Sequence, residues 1–177
     1  MPTSESDPDV RPSRPRLLAR DDVREGFTSG AEELDVWLLK YAWQNLRANS
    51  ASTYVTVAAG RVVGYYAICV GGVSQDEVPA SVAKHSPRQV PCILLARLAV
   101  DQEWMGRRIG EALVLDALHR AVQVSETAGV MAVLIHARDD DAKAFYQRIG
   151  EFVESPAHPL QLMMPIKVVR KVLEAGK

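Results

Sequence analysis

Cysteine is scarce in this chain, with two in 177 residues, Cys69 and Cys92. Both sit in apolar, strand-like stretches without C-x-x-C or Cys/His spacing. That argues against a disulfide framework or a metal knuckle and predicts two buried, reduced thiols. An excess of charge of one sign is also missing. Lys and Arg total 21 against 22 Asp and Glu, a net charge of −1. The bulk field therefore gives no pull towards nucleic acid, and any anionic partner has to be held by a local patch. No apolar run approaches the ~18 residues of a membrane span. The first twenty residues lack the apolar core of a signal peptide, so a cytoplasmic protein without a membrane association is expected. What remains is an ordinary globular balance, 47% apolar and 24% charged, in a chain long enough for one domain with a sizeable core.

Residues 1–16, MPTSESDPDVRPSRPR, carry proline, serine and charge but almost nothing to bury. They read as a mobile tail ahead of one domain over 17–177. Ser29-Gly-Ala-Glu32 has capping-box spacing before the helical pattern Leu34, Trp37, Leu38, Tyr41, which predicts a helix to about Arg47. YVTVAAGRVVGYYAICVGGV (54–73) alternates around a turn at 59–61 and predicts a β-hairpin. VPCILLARLAV (90–100) and VMAVLIHA (130–137) read as buried strands. Between them a helix from Ile109 to about Val124 carries one apolar stripe: Ile109, Leu113, Ala117, Ala121. Asp140 or Asp141 is expected to cap a further helix with the stripe Ala142, Phe145, Tyr146, Ile149, and Gly150 to end it. PLQLMMPIKVV (159–169) reads as the last strand before a short charged end. The order predicts an α/β fold, a mixed central sheet flanked by helices, with parallel crossovers in the second half.

The stretch LLARLAVDQEWMGRRIGEALVLDAL joins a buried strand to a helix through a tight polar turn. A helix starting there aims its unpaired N–H groups and its dipole at one spot, a ready anion site. Gly106 permits the turn, and Gly110 lets a bulky ligand approach the helix backbone. Arg107 and Arg108 add two positive charges, which favours a phosphorylated ligand. G-x-x-x-G alone is weak, and a plain strand–helix connection satisfies this stretch equally.

The same stretch resembles the acetyl-CoA signature of the GNAT-type N-acetyltransferase superfamily. The resemblance implies that acetyl-CoA is the cofactor. Leu98, Ala99 and Val100 would offer backbone groups to its pantetheine, and Met105, Gly106, Arg107, Arg108, Ile109 and Gly110 would cradle its diphosphate. Met105 stands where the family usually has Gln or Arg, and Arg108 where it has the middle glycine. AFYQRIG (144–150) resembles a second family segment, with one residue inserted before Phe152. There Phe145 would contact the cofactor. Tyr146 would be the acid that protonates the leaving thiolate, a role its ordinary pKa near 10 allows. Tyr146 also lies on the core stripe and would serve equally as packing.

Over about residues 17–170, several blocks in order resemble the acetyltransferase toxins of bacterial type II toxin–antitoxin pairs. These blocks are REGFTSGAEELDVWLLKYAWQN, RVVGYYAICVGGV, ILLARLAVDQEWMGRRIG and SPAHPLQLMMPI. That resemblance implies acetylation of the α-amino group of aminoacyl-tRNA, a homodimer, and a ribbon-helix-helix antitoxin as partner. Near-zero net charge then requires a local basic surface. Lys40, Arg47 and Arg97 are the substrate-binding candidates, with Lys84, His85 and Arg88 nearby in sequence terms to the central strand. Lys40 and Arg47 fit a solvated helix face as well. Arg97, inside ILLARLAV, has to reach a carboxylate, a cleft or a ligand. Asp101, Glu103 and His158 are the candidate bases, each also readable as surface charge. Trp43 and Trp104 fit an interface or the core. An acetyltransferase for a small amine or a protein amino group, and a module that binds acyl-CoA without turnover, are the alternative functions.

Overall fold

The computed structural model describes residues 10–177; the first nine residues of the expected tail lie outside the described residues. The elements in chain order are β1 (Arg16–Leu17), α1 (Glu32–Lys40), α2 (Ala42–Arg47), β2 (Ser52–Ala58), β3 (Arg61–Ser74), α3 (Ala80–Ala83), β4 (Gln89–Val100), α4 (Ile109–Ser125), β5 (Ala132–His136), α5 (Asp140–Ile149), β6 (Val153–Glu154), β7 (Gln161–Pro165) and α6 (Ile166–Ala175). The strands form the expected mixed sheet, in the order β1-β2-β3-β4-β5-β7-β6. By packing, the chain makes two compact units. One runs to Ala67 and adds Arg97–Leu113; the other holds Ile68–Ala96 and Val114–Lys177.

In the first unit β2 and β3 form the predicted hairpin. Ala59 and Gly60 both have positive φ, 50° and 74°, as a two-residue type I′ turn requires. β1 pairs antiparallel with β2, Arg16 opposite Val55. Leu18, Phe27, Trp37, Leu38, Val55, Val62 and Tyr65 form the buried cluster. Tyr65 sits edge-on to Phe27 and stacked on Trp37, and its hydroxyl donates to the Leu34 carbonyl at 2.7 Å. The expected single helix to Arg47 is two helices, broken at Tyr41 with neither proline nor glycine to mark the break. The capping box does not form either. Gly30 takes a φ of 94°, so the helix begins at Glu32. Ser29 instead donates from both its hydroxyl and its N–H to Asp35, at 2.6 and 3.0 Å.

In the second unit β4 and β5 are parallel, Cys92 opposite Ala132, as a crossover through α4 predicts. The next connection departs from that expectation. β5 and β7 are antiparallel, because β6 and the residues after it reverse the chain before β7 pairs between β5 and β6. Asp139, not Asp140 or Asp141, caps α5, its carboxylate accepting the Ala142 N–H at 2.8 Å. Gly150 ends α5 in extended backbone, not in the left-handed C′ conformation. Its missing side chain matters for space, since a Cβ there would lie 2.6 Å from the Met164 methyl. The expected strand to residue 169 stops at Pro165. A fixed φ and a missing N–H suit a helix start, and α6 follows with Ile166 and Val169 buried. Among the described residues neither cysteine forms a disulfide, with Cys92 buried and Cys69 partly so; burial pushes the Cys92 thiol up to about 11.

Candidate active site

In the first unit the end of β4 is pinned by one buried carboxylate. Asp101 accepts the N–H of Thr28 at 3.1 Å, the N–H of Glu103 at 3.0 Å and one Arg61 nitrogen at 3.2 Å. Its own N–H donates to the Val63 carbonyl. The other end of the Arg61 guanidinium donates to Glu103 at 2.9 Å. Asp101 and Glu103 thus share the Arg61 guanidinium, and the buried Asp101 holds the turn in place. A single turn of 3₁₀ helix, Gln102–Trp104, buries Trp104, and the Arg107 guanidinium lies over its ring, 4.3 Å from the centroid.

The turn then needs two left-handed residues, Gly106 at φ 77° and Arg108 at φ 60°. The second is the position where the sequence resemblance expects glycine, and an arginine holds the same backbone shape. The Arg108 carbonyl accepts the Ala112 N–H at 3.1 Å and so starts α4. The N–H groups of Ile109, Gly110 and Glu111 come before the first helical donor, the Ala112 N–H, and have no acceptor within the helix. Gly64 on β3 lets this end of α4 lie close to the sheet. A Cβ there would meet Thr56, Ile109 and Leu113 side-chain carbons at 3.0–3.1 Å. Arg107, Arg108 and Ile109 line a cleft of about 300 Å³, whose other lining residues include Thr56 and Pro12–Pro15. Backbone donors at a helix start, joined to guanidiniums at a cleft of that size, are a donor set that fits a diphosphate. Leu98, Ala99 and Val100 form the strand end leading into it.

In the second unit Tyr146 lies on α5, 8% exposed, edge-on to both Phe145 and Phe152. Burial pushes its phenol up to about 12. The residue is thus packed as the apolar stripe predicts, and holds a proton across all neutral pH. His158 Nε2 is 3.6 Å from a Glu77 carboxylate oxygen, on the surface.

Lys40 and Arg47 are exposed, in the last turns of α1 and α2. Arg97 finds an aromatic ring, its guanidinium 4.4 Å from the Trp37 centroid. Lys84, His85 and Arg88 are exposed in the second unit. Both questioned tryptophans pack: Trp104 is buried and Trp43 lies against the first unit's core. Thr28 and Arg61, which orient Asp101, carry no sequence signal, since each is an ordinary loop or strand residue until the fold brings it to that carboxylate. Among the described residues no helix is long and apolar enough to cross a membrane.

Residues 17–150 match the model of the Acetyltransferase (GNAT) family. A tRNA-acetylating toxin of Mycobacterium tuberculosis (strain ATCC 25618 / H37Rv) is 40% identical over 161 residues, 91% of this chain and 96% of that protein. Among solved structures, AtaT complexed with acetyl-methionyl-tRNAfMet superposes with a TM-score of 0.83 at 23% identity, covering 93% of this chain and 99% of that one. A tyrosine-to-phenylalanine variant of AtaT bound to the C-terminus of the antitoxin AtaR gives a TM-score of 0.76 at 21% identity, covering 89% and 96%. These last two likenesses speak to the fold. With the strand, turn and helix of the anion site inside the matched span, the chain belongs to the acetyltransferase (GNAT) family, enzymes whose acetyl donor is acetyl-CoA.

Proposed function

We propose that the protein is a toxin that transfers acetyl from acetyl-CoA to the α-amino group of aminoacyl-tRNA and so blocks translation. The observation that carries this reading is the near-full-length relationship to a tRNA-acetylating toxin, at an identity well above that of the structural neighbours. In the same reading residues 17–177 act as one acetyltransferase domain, working in the cytoplasm as a homodimer. Its neutralising partner is a ribbon-helix-helix antitoxin, consistent with the toxin–antitoxin complex among the structural neighbours.

Acid–base chemistry supports an α-amino acceptor. A lysine amine, with a pKa near 10.4, is under roughly a thousandth neutral at pH 7 and needs a base. An α-amino group near 7.7–8 is already about a tenth neutral. Of the three candidate bases, two are bound to Arg61 and the third sits beside Glu77. An acceptor that needs no base suits such a site.

When bound, acetyl-CoA supplies a thioester carbonyl open to attack by an amine. The chain's own groups divide the remaining work. The N–H groups of Ile109 and Gly110, with Arg107 and Arg108, hold phosphate. Leu98, Ala99 and Val100 present strand backbone to the pantetheine arm, and Phe145 packs on it. Tyr146 is the acid: it keeps its proton on the phenol oxygen and donates it, first as a hydrogen bond, to the departing sulfur. A thiol of ordinary pKa near 8.5 is more acidic than this phenol, so full transfer from the phenol runs uphill; the hydrogen bond stabilises the departing thiolate, and the proton shed by the attacking amine balances the charge. Lys40 and Arg47 supply tRNA phosphate contacts from the exposed ends of α1 and α2, and Arg97 supports that surface from β4.

Transfer of radiolabelled acetyl from acetyl-CoA to a pool of charged tRNA, with Tyr146→Phe in parallel, tests the reading. Label on aminoacyl-tRNA that falls sharply in the variant is expected. CoA binding without label on tRNA would overturn the tRNA assignment and direct the search to small amines.

A further inference from the structure

The residues before Arg16 carry almost nothing to bury, yet those nearest β1 are fastened down. The Ser13 N–H donates to the Val57 carbonyl at 2.8 Å, and the Val57 N–H donates to the Ser13 hydroxyl at 2.9 Å. The Thr56 hydroxyl donates to the Ser13 carbonyl at 2.5 Å. One serine thus makes three hydrogen bonds to β2 and extends the pairing that β1 begins. Pro12 and Pro15 flank it, and their fixed φ leaves little freedom to lose when this strap is laid in place.

Pro12–Pro15 line the same cleft of about 300 Å³ as Arg107, Arg108 and Ile109. Arg14 therefore shares a small space with Arg108, from a distant part of the sequence. Among the described residues lining the cleft, none is acidic. Guanidiniums gathered at one cleft repel each other, and a shared oxyanion removes that repulsion. Arginine also matches phosphate geometry with two parallel N–H donors. The volume is at the small end for ligand pockets, which suits the phosphate end of a small molecule and not a nucleic-acid duplex.

We propose that Arg14 is a phosphate-binding residue of the coenzyme site, presented by the Pro12–Pro15 strap to the cleft at the start of α4. This rests on the reading of residues 105–110 as the cradle of acetyl-CoA. The strap is then part of the binding site, and the segment before β1 contributes to coenzyme affinity. The oxyanion that Arg14 takes belongs either to the diphosphate or to the 3′-phosphate of the coenzyme's ribose, which carry the same chemistry.

Calorimetric titration of the full chain with CoA and with dephospho-CoA, at low salt, tests it. Wild type is compared with Arg14→Ala and with Arg11→Ala, a neighbouring arginine outside the cleft. Arg14→Gln, which keeps much of the side-chain length, is added if Arg14→Ala lowers the melting temperature. Arg14→Ala is expected to weaken CoA binding about tenfold or more, while Arg11→Ala leaves it unchanged. An equal loss with dephospho-CoA places Arg14 on the diphosphate; a loss confined to CoA places it on the 3′-phosphate. Wild-type affinity for CoA in a folded Arg14 variant would overturn the proposal and leave the cradle standing. Absence of CoA binding by the wild type would overturn the cradle itself.

Discussion

The Arg97 guanidinium and the Trp37 ring lie face to centre at 4.4 Å, and Trp37 in turn stacks on Tyr65 with an interplanar angle of 12°. A charge inside an apolar strand is thereby met by π-electron density. Burial raises the Tyr65 phenol far above its ordinary value, and the Arg97 charge opposes part of that rise. The stack ties β4 to α1 within the first unit.

Removing that charge tests how much the stack contributes. Arg97→Ala is expected to destabilise the fold by about 1 kcal/mol and lower Tm by roughly 3 °C, with Arg97→Lys recovering only part. Thermal melting reads the effect. Unchanged melting together with weaker binding of charged tRNA would assign Arg97 to the substrate surface alone.

Arg108 holds a left-handed backbone that costs an L-residue roughly 1–2 kcal/mol and glycine almost nothing. Arg108→Gly should therefore raise stability by up to about 1 kcal/mol, after the added chain entropy of glycine is offset. The same variant should bind CoA more weakly through loss of the guanidinium. Opposite movements of melting temperature and affinity in one variant are the expected signature; a fall in both would refute the strain.

Asp101→Ala leaves Arg61 and the N–H groups of Thr28 and Glu103 without their shared acceptor. A loss of about 3 kcal/mol is expected, as for a buried carboxylate removed from its partners. Urea unfolding should show a lower midpoint at an unchanged slope. A midpoint within error of the wild type would mean that water replaces the carboxylate without cost.

Tyr146→Phe should lower acetyl transfer by about 10²- to 10⁴-fold while leaving the fold intact. The wild-type rate should rise with pH as the acceptor amine deprotonates near pH 8, and show no falling limb up to pH 10. The absent limb follows from a phenol held up to about 12. Stability carries the matching sign. Because the folded pKa lies above the unfolded one, the contribution is full below about pH 10 and is lost as pH rises towards 12. A falling limb near pH 9 that Tyr146→Phe abolishes would show a phenol far more acidic than its burial allows.

Much of the architecture is legible in the sequence because it follows period and turn chemistry. The Ala59-Gly60 hairpin, the continuous apolar runs of β4 and β5 and the stripe of α4 all follow from local pattern. So does the strand–turn–helix of the anion site. What escapes is decided at a distance. The reversal that makes β7 antiparallel to β5 depends on a two-residue β6, too short to show a period. The helix α6 hides behind a proline that reads equally as strand punctuation. Arg97 is identified from its sequence as a residue in need of a partner, but no pattern along one chain says that the partner is an indole on α1. Asp101 reads as a loop carboxylate until Thr28 and Arg61 are brought to it.

The strap around Ser13 has a consequence for solubility. In the sheet order β2 would be the outermost long strand, a row of backbone donors and acceptors open to pairing with other molecules. Ser13 to Leu17 occupies that row, and Pro15 leaves a gap in the N–H groups of the new border. A chain shortened past Ser13 would expose the β2 border, and aggregation would be its first failure, ahead of any loss of catalysis.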